Sequence, residues 1–163
     1  MRSILTETSN IYCNVSLQFS TLDICSGFYQ ISVDPESHEK TVFVTKYGIY
    51  QYNRLPMGLC NSPATFQRLV DIVFAGLIRE CTVAYVDDLN IYSNDLRNHF
   101  RHLRQVFNRI RLAGLLLNPE KCEFFKTSIS FLGYVVSADG IKTDPVKIEK
   151  VAKFPKPKMT KEL

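Results

Sequence analysis

The sequence has 163 residues, 45% of them hydrophobic and 22% charged, with a net charge of +4. That balance excludes a disordered or fibrous chain, and the length fits one domain large enough to bury a real core. No apolar run approaches the ~20 residues needed to cross a bilayer, so no membrane partner is expected. The opening "MRSILTETSN" lacks the apolar core of a secretory signal, and Cys13, Cys25, Cys60, Cys81 and Cys122 contain no CxxC pair. Reduced thiols in an intracellular protein are expected rather than zinc or disulfides.

Charge is divided unevenly along the chain. Residues 1 to 94 carry six basic and nine acidic side chains, hence −3, and residues 95 to 163 carry fourteen and seven, hence +7. The division suits either a metal-dependent site acting on a polyanion or a solvated basic surface.

Before Phe19 the periodicity is weak, and residues 1–18 form a poorly defined segment. "FSTLD", Phe19 to Asp23, reads as a short strand ending on a carboxylate. Gly27 and Pro35 interrupt the next stretch, and "TVFVT" and "IYQYNRL" read as a hairpin around Tyr47-Gly48. After the loop "LPMGLCNSP", Ser62-Pro63 is an N-cap and first-turn signature. The stripe Phe66, Leu69, Val70, Val73, Phe74 and Leu77 predicts a helix from about Ser62 to Arg79.

"TVAYVDDLNIYS", Thr82 to Ser93, is apolar on both sides of two adjacent aspartates. It reads as a hairpin whose turn lies within Tyr85-Val86-Asp87-Asp88, where a β-branched residue is ill suited to the positive φ of a tight turn. Such a conflict between local chemistry and structure is expected at a functional or strained site.

Leu96, Phe100, Leu103, Phe107 and Ile110 predict a second amphipathic helix stopped by Gly114. Its other face would carry Arg97, Arg101, Arg104, Arg109 and Arg111, with His99 and His102 at i,i+3 spacing. That histidine pair suits a wet polar face better than a metal site, since no acidic or thiol partner is near in sequence. "LLLN" reads as a strand, "NPEKCEFF" as a turn and "SISFLGYVVSADGIKTD" as a hairpin turning at Ala138-Asp139-Gly140. A short helix from Pro145 to Phe154 follows, and residues 155–163 read as a linker or frayed end. The order predicts an α+β domain over 19–154, with an antiparallel sheet and two helices packed on one face.

Asp23, Asp87 and Asp88 all stand at ends of apolar strands. If those strands are neighbours, the carboxylates converge, and like charges about 4 Å apart repel by about 4 kcal/mol at an effective dielectric of 20. A divalent cation would remove that cost, and oxygen ligands favour magnesium or manganese. Paired hard cations are the apparatus of in-line phosphoryl transfer. The competing reading is an ordinary Asp-Asp turn, with Asp23 as a cap.

"FSTLDICSGFYQI", "LPMGLCNSPATFQ", "YVDD", "AGLLLNPEKCEFF" and "FLGYVVSADGI" occur in that order. Together they resemble the reverse transcriptase of gypsy-type long-terminal-repeat retrotransposons, from about Phe19 to Phe154. The resemblance implies the palm of a right-hand polymerase with partial fingers and no thumb, and implies that Asp23, Asp87 and Asp88 hold two magnesium ions, or manganese. It implies RNA-directed DNA synthesis, in which a primer 3′-hydroxyl attacks a deoxynucleoside triphosphate on an RNA or DNA template. Phe28 matches an aromatic gate under the sugar, where a ring leaves no room for a 2′-hydroxyl; core packing is the alternative.

Met57 and Gly58 match the loop that lines the incoming nucleotide, and Gln67 is placed near the template strand. Lys121 matches a lysine that protonates pyrophosphate, or is a solvated turn lysine. Leu132, Gly133 and Tyr134 match the primer grip. The family's triphosphate clamp is not matched in the first 22 residues, whose only basic side chain is Arg2. Thumb, ribonuclease H and integrase segments would be partners in a longer polyprotein. A truncated or domesticated relic that binds nucleic acid without polymerising is the alternative.

Overall fold

The computed structural model describes residues 18–153. The expected irregular segment before Gln18 and the linker 155–163 lie outside the described residues. Strand β1 (Gln18–Asp23) is central in a four-stranded antiparallel sheet. Its neighbours are β5 (Asp88–Ser93) and β6 (Glu123–Lys126), with β4 (Thr82–Tyr85) beyond β5. Two smaller sheets complete the strands. One is the hairpin of β2 (Phe43–Thr45) and β3 (Gly48–Tyr50); the other is the meander of β7 (Ser128–Phe131), β8 (Tyr134–Ser137) and β9 (Gly140–Thr143). Among the described residues no helix is long and apolar enough to cross a membrane.

Alternation along β1 sorts the two faces of the main sheet. Leu22 and Ile24, with Leu89 and Ile91 of β5, join a buried cluster with Phe66 and Val70 of α1 (Ser62–Val73) and Leu103, Val106 and Ile110 of α2 (Leu96–Ala113). Both long helices therefore cover one face, as the sequence pattern predicts. Phe19, Tyr92 and Val83 point the other way and pack on Ile129, Phe131 and Val136 of the meander. Asp23 shares this second face, by period two with Phe19.

Several local expectations are corrected. Helix α1 ends at Val73 rather than Arg79, because the chain turns through Phe74 to Leu77 and Gly76 takes φ 82°. Asn61 is its cap residue, and Ser62 instead donates from Oγ to the Pro56 carbonyl at 3.0 Å. "LLLN" is not a strand: Leu117 makes only an isolated bridge to Ile24, and the strand begins five residues after Asn118, at β6. The meander has a second turn, at Leu132-Gly133, beside the expected one at Ala138-Asp139. The last helix, α3, spans Pro145–Ala152.

Helix α2 begins at Asp95, whose carboxylate accepts from the Asn98 N–H at 2.8 Å, and stops at Gly114 with φ 67°. Its buried stripe is His99, Leu103, Val106 and Ile110. Phe100 is 62% exposed and leans on Phe125, their rings 4.9 Å apart. The two histidines do not form a wet face. His99 is 0% exposed, its Nε2 2.7 Å from Ser20 Oγ and its Nδ1 2.9 Å from Ser93 Oγ, which in turn lies 2.7 Å from His102 Nδ1. Ser20 also accepts from the Phe125 N–H at 3.2 Å, at a bulge where Phe125 takes φ 54°. A neutral His99 suits a one-way chain here: Phe125 to Ser20, Ser20 to His99, His99 to Ser93, Ser93 to His102. Helix α2 is thereby tied to three strands of the sheet.

Candidate active site

The β4–β5 hairpin pairs Tyr85 with Asp88, leaving Val86 and Asp87 as its two-residue turn. Val86 has φ 50°, the left-handed conformation anticipated from the misfit between sequence and turn. For an L-residue this costs roughly 1–2 kcal/mol, and β-branching worsens the fit. Three contacts hold the turn. The Val86 N–H donates to Gln67 Oε1 at 3.0 Å, the Asp87 carbonyl accepts from the Ile24 N–H at 3.1 Å, and the Val86 side chain leans on the main core.

Register does the rest of the assembly. Asp23 is the direct antiparallel partner of Asp88 across β1 and β5, so both carboxylates stand on the same face. On its other side the Asp23 carbonyl accepts from the Asn118 N–H at 2.9 Å. Lys121, one residue beyond a Pro119-Glu120 turn capped by the Asn118 side chain, brings Nζ within 3.5 Å of Asp23 Oδ2. This lysine is therefore at the carboxylate corner, although its side chain remains 66% exposed.

The three carboxylates feel one another. Burial raises the Asp87 carboxyl above its usual range, and the charges of Asp23 and Asp88 push it further, against the opposing pull of Lys121. Asp88 is raised in the same way, by burial first and then by Asp23. Asp87 Oδ1 is buried without a hydrogen-bond partner, an orphan of the kind that costs stability unless something satisfies it. It lies against Gly27: a Cβ there would stand 2.5 Å from Asp87 Oδ1 and 2.5 Å from the Phe66 ring. Only glycine permits this approach.

These donors fit a hard divalent cation, being all carboxylate oxygens with one orphaned atom among them. Among the described residues no three acidic, thiol or imidazole side chains close a cage around one point.

The remaining expected site residues are placed as follows. Phe28, in the 3-10 turn Gly27–Gln30, is half-buried and meets Phe66 edge to face with centroids 5.5 Å apart. It sits one residue from the glycine that touches Asp87, so packing and proximity to the site coexist. Gln67 spends both ends of its amide inside the protein, accepting from Val86 and donating to Asp71 Oδ1 at 3.0 Å. Met57, 62% exposed, and Gly58, with φ 95°, occupy the exposed loop before α1. Leu132 and Gly133 form the β7–β8 turn, and Tyr134 begins β8 opposite Phe131. Leu132 and Tyr85 both pack against the apolar cluster of the second face.

Three contributors were missed at the sequence level: Gly27, Asn118 and Gln30. Gln30 accepts from the Leu116 N–H at 2.8 Å and donates to the Leu116 and Cys25 carbonyls, stapling the Phe28 turn to the strand approach. Gly27 alone carried a signal, as a glycine inside an otherwise apolar and aromatic stretch.

An antiparallel sheet backed by two helices, with Asp23 and Asp88 paired across neighbouring strands and Asp87 in the adjoining turn, is a polymerase palm. Residues 6–136 match the family "Reverse transcriptase (RNA-dependent DNA polymerase)", and the chain belongs to that family. The chain is 42% identical over 145 residues to the Retrovirus-related Pol polyprotein from transposon 297 of Drosophila melanogaster, a match covering 89% of this chain and 14% of the relative. It is 43% identical over 145 residues to the corresponding polyprotein from transposon opus of the same organism, with the same coverage. The Enzymatic polyprotein of cauliflower mosaic virus (strain D/H) is 35% identical over 137 residues, 84% of this chain and 20% of that one. Among solved structures, the foamy viral protease-reverse transcriptase dRH in complex with double-stranded DNA superposes with a TM-score of 0.84 at 25% identity, over 94% of this chain and 27% of that one. The foamy viral protease-reverse transcriptase in complex with an RNA/DNA hybrid gives a TM-score of 0.82 at 25% identity, over 95% of this chain and 21% of that one. The chain thus spans about one seventh of the length of the Drosophila relatives it matches.

Proposed function

We propose that this chain is the catalytic palm of an RNA-directed DNA polymerase, adding deoxynucleotides to a primer 3′ end on an RNA or DNA template. The observation that carries the reading is the cross-strand pairing of Asp23 with Asp88 beside the strained Val86-Asp87 turn, where Asp87 Oδ1 is buried without a partner. Asp23, Asp87 and Asp88 would hold two magnesium ions, or manganese, which when bound lower the pKa of the attacking hydroxyl and stabilise the leaving phosphate.

The chain's own residues supply placement. Gln67 and Gly27 fix the turn that presents Asp87. Lys121, at Asp23, is poised to give a proton to departing pyrophosphate or to neutralise its charge. Phe28 borders the sugar of the incoming nucleotide and disfavours a 2′-hydroxyl, while Met57 and Gly58 line its approach. Leu132, Gly133 and Tyr134 support the primer end beside the aspartate turn. Further segments of a polyprotein would complete the enclosure of the duplex.

The test is primer extension on RNA and DNA templates, with magnesium and with chelator. Magnesium-dependent extension abolished by Asp88→Asn is the expected result. Extension that survives Asp88→Asn, or that ignores chelator, would refute the assignment.

A further inference from the structure

We infer that Lys147 is a phosphate contact for the primer strand, seated on the Leu132-Gly133 turn; this rests on the polymerase reading above and adds a residue from outside the matched motifs. The turn is a tight one in which both residues take positive φ, 49° at Leu132 and 83° at Gly133. Leu132 shares an apolar cluster with Tyr85, the residue before the Val86-Asp87 turn. Both turns thus border one apolar cluster on the face of the sheet that carries Asp23.

Helix α3 is fastened to this turn by its first residues. The Asp144 N–H donates to the Gly133 carbonyl at 3.1 Å, the Asp144 carboxylate accepts from the Val146 N–H at 3.0 Å, and the Asp144 carbonyl accepts from the Lys147 N–H at 3.0 Å. Lys147 is thus carried over the turn by backbone bonds, and its position does not depend on its own charge. A Cβ on Gly133 would stand 2.9 Å from Lys147 Cε and 3.0 Å from Cδ, and would overlap Nζ. The stem of the lysine fills the space that glycine leaves, and the ammonium ends on the surface of the turn.

That ammonium is uncompensated. Lys121, Lys126 and Lys153 each lie within 4 Å of a carboxylate, whereas no such pair is made by Lys147 among the described residues. An exposed point charge with three donors, immobilised on a backbone turn, suits a phosphodiester oxygen and reads no base.

The experiment is a salt titration of binding between the 163-residue chain and a fluorescein-labelled primer–template duplex with a recessed 3′ end. Lys147→Gln should weaken binding severalfold at low salt and reduce the slope of log affinity against log salt by about one unit, with Lys147→Arg restoring both. Gly133→Ala, which displaces the lysine, should reproduce the loss, and the double variant should lose little more than either alone. An unchanged slope in Lys147→Gln, with the wild type binding normally, overturns the role of Lys147 and leaves the polymerase reading standing. Failure of the wild type to bind the duplex even at low salt overturns both. Because the Lys147 side chain is exposed, its variants should unfold at the wild-type temperature, which separates lost binding from lost structure.

Discussion

Replacing His99 by glutamine should remove an acid sensitivity built into the attachment of helix α2. Burial, with a smaller contribution from the charge of His102, holds the His99 imidazole down at about 4, whereas the unfolded chain titrates it near 6.5. Above pH 6.5 the ring is neutral in both states and the serine–histidine chain contributes fully. Below pH 6.5 the unfolded chain takes up a proton that the folded chain refuses, so stability falls as pH drops and levels off once the folded state also protonates. Each pH unit in that window is worth up to about 1.4 kcal/mol, or roughly 3 kcal/mol in all. Against a typical domain stability of about 5–15 kcal/mol this is a large fraction. Urea unfolding of wild type and His99→Gln at a series of pH values and constant ionic strength isolates the effect, because carboxylates shared by both proteins cancel in the difference. Glutamine should cost stability at pH 7.5 and progressively less toward pH 4.5. Parallel stability curves over that range would mean that His99 is not held neutral by its surroundings.

Asp87→Asn should abolish primer extension yet stabilise the chain without divalent ions, on the order of 1 kcal/mol, since it removes a screened repulsion; a lower unfolding temperature in chelator would contradict the crowding of these carboxylates. Gln67→Ala should cost about 1–2 kcal/mol by leaving the Val86 N–H unpaired, while duplex affinity stays near wild type. The opposite pattern, intact stability with weakened affinity, would return Gln67 to the template. Phe28→Ala should cost about 2 kcal/mol for a half-buried ring and relax discrimination against ribonucleotides in single-nucleotide insertion. Unaltered discrimination would leave Phe28 as packing alone.

The elements that were legible in advance were those whose signal is local and strong. Gly114 ends α2 as the sequence predicts, and the misfit at Tyr85-Val86-Asp87-Asp88 announced the left-handed Val86. Periodicity also placed both helices on one face of the sheet. Along α2 it found Leu103 and Ile110 but took Phe100 as buried in place of His99, because histidine counted as polar. In the fold, Ser20 and Ser93 satisfy both nitrogens of His99, so the ring is buried at no hydrogen-bonding loss and Phe100 is turned outward. The same blindness to tertiary partners explains β6. "EFFK" has no alternation and is exposed throughout, and it becomes a strand because β1 offers it an edge. Within the site, carboxylates could be nominated from sequence, but Gly27 and Asn118 act through contacts that no spacing reveals. The two faces of the sheet also separate what composition had joined: α2, with its arginines, covers the face opposite Asp23, so those arginines do not line the carboxylate corner.

The central position of β1 governs when this site can exist at all. Thr21 waits 69 residues for Asn90 across one ladder, and Ser20 waits 105 for Phe125 across the other, so the first of the described strands gains its neighbours late. At about 5–20 residues per second, synthesis leaves β1 without its β5 neighbour for several seconds and without β6 for longer. The β4–β5 hairpin needs only its own two-residue turn, so Asp87 and Asp88 are presented early and Asp23 arrives afterwards, when the loop between them closes. A nascent chain therefore carries no assembled carboxylate triad until β1 pairs with β5. Under the proposed function, activity would then be tied to the β1–β5 pairing, and a misregistered β1 would leave a chain folded in its helices and hairpins but without the assembled carboxylates.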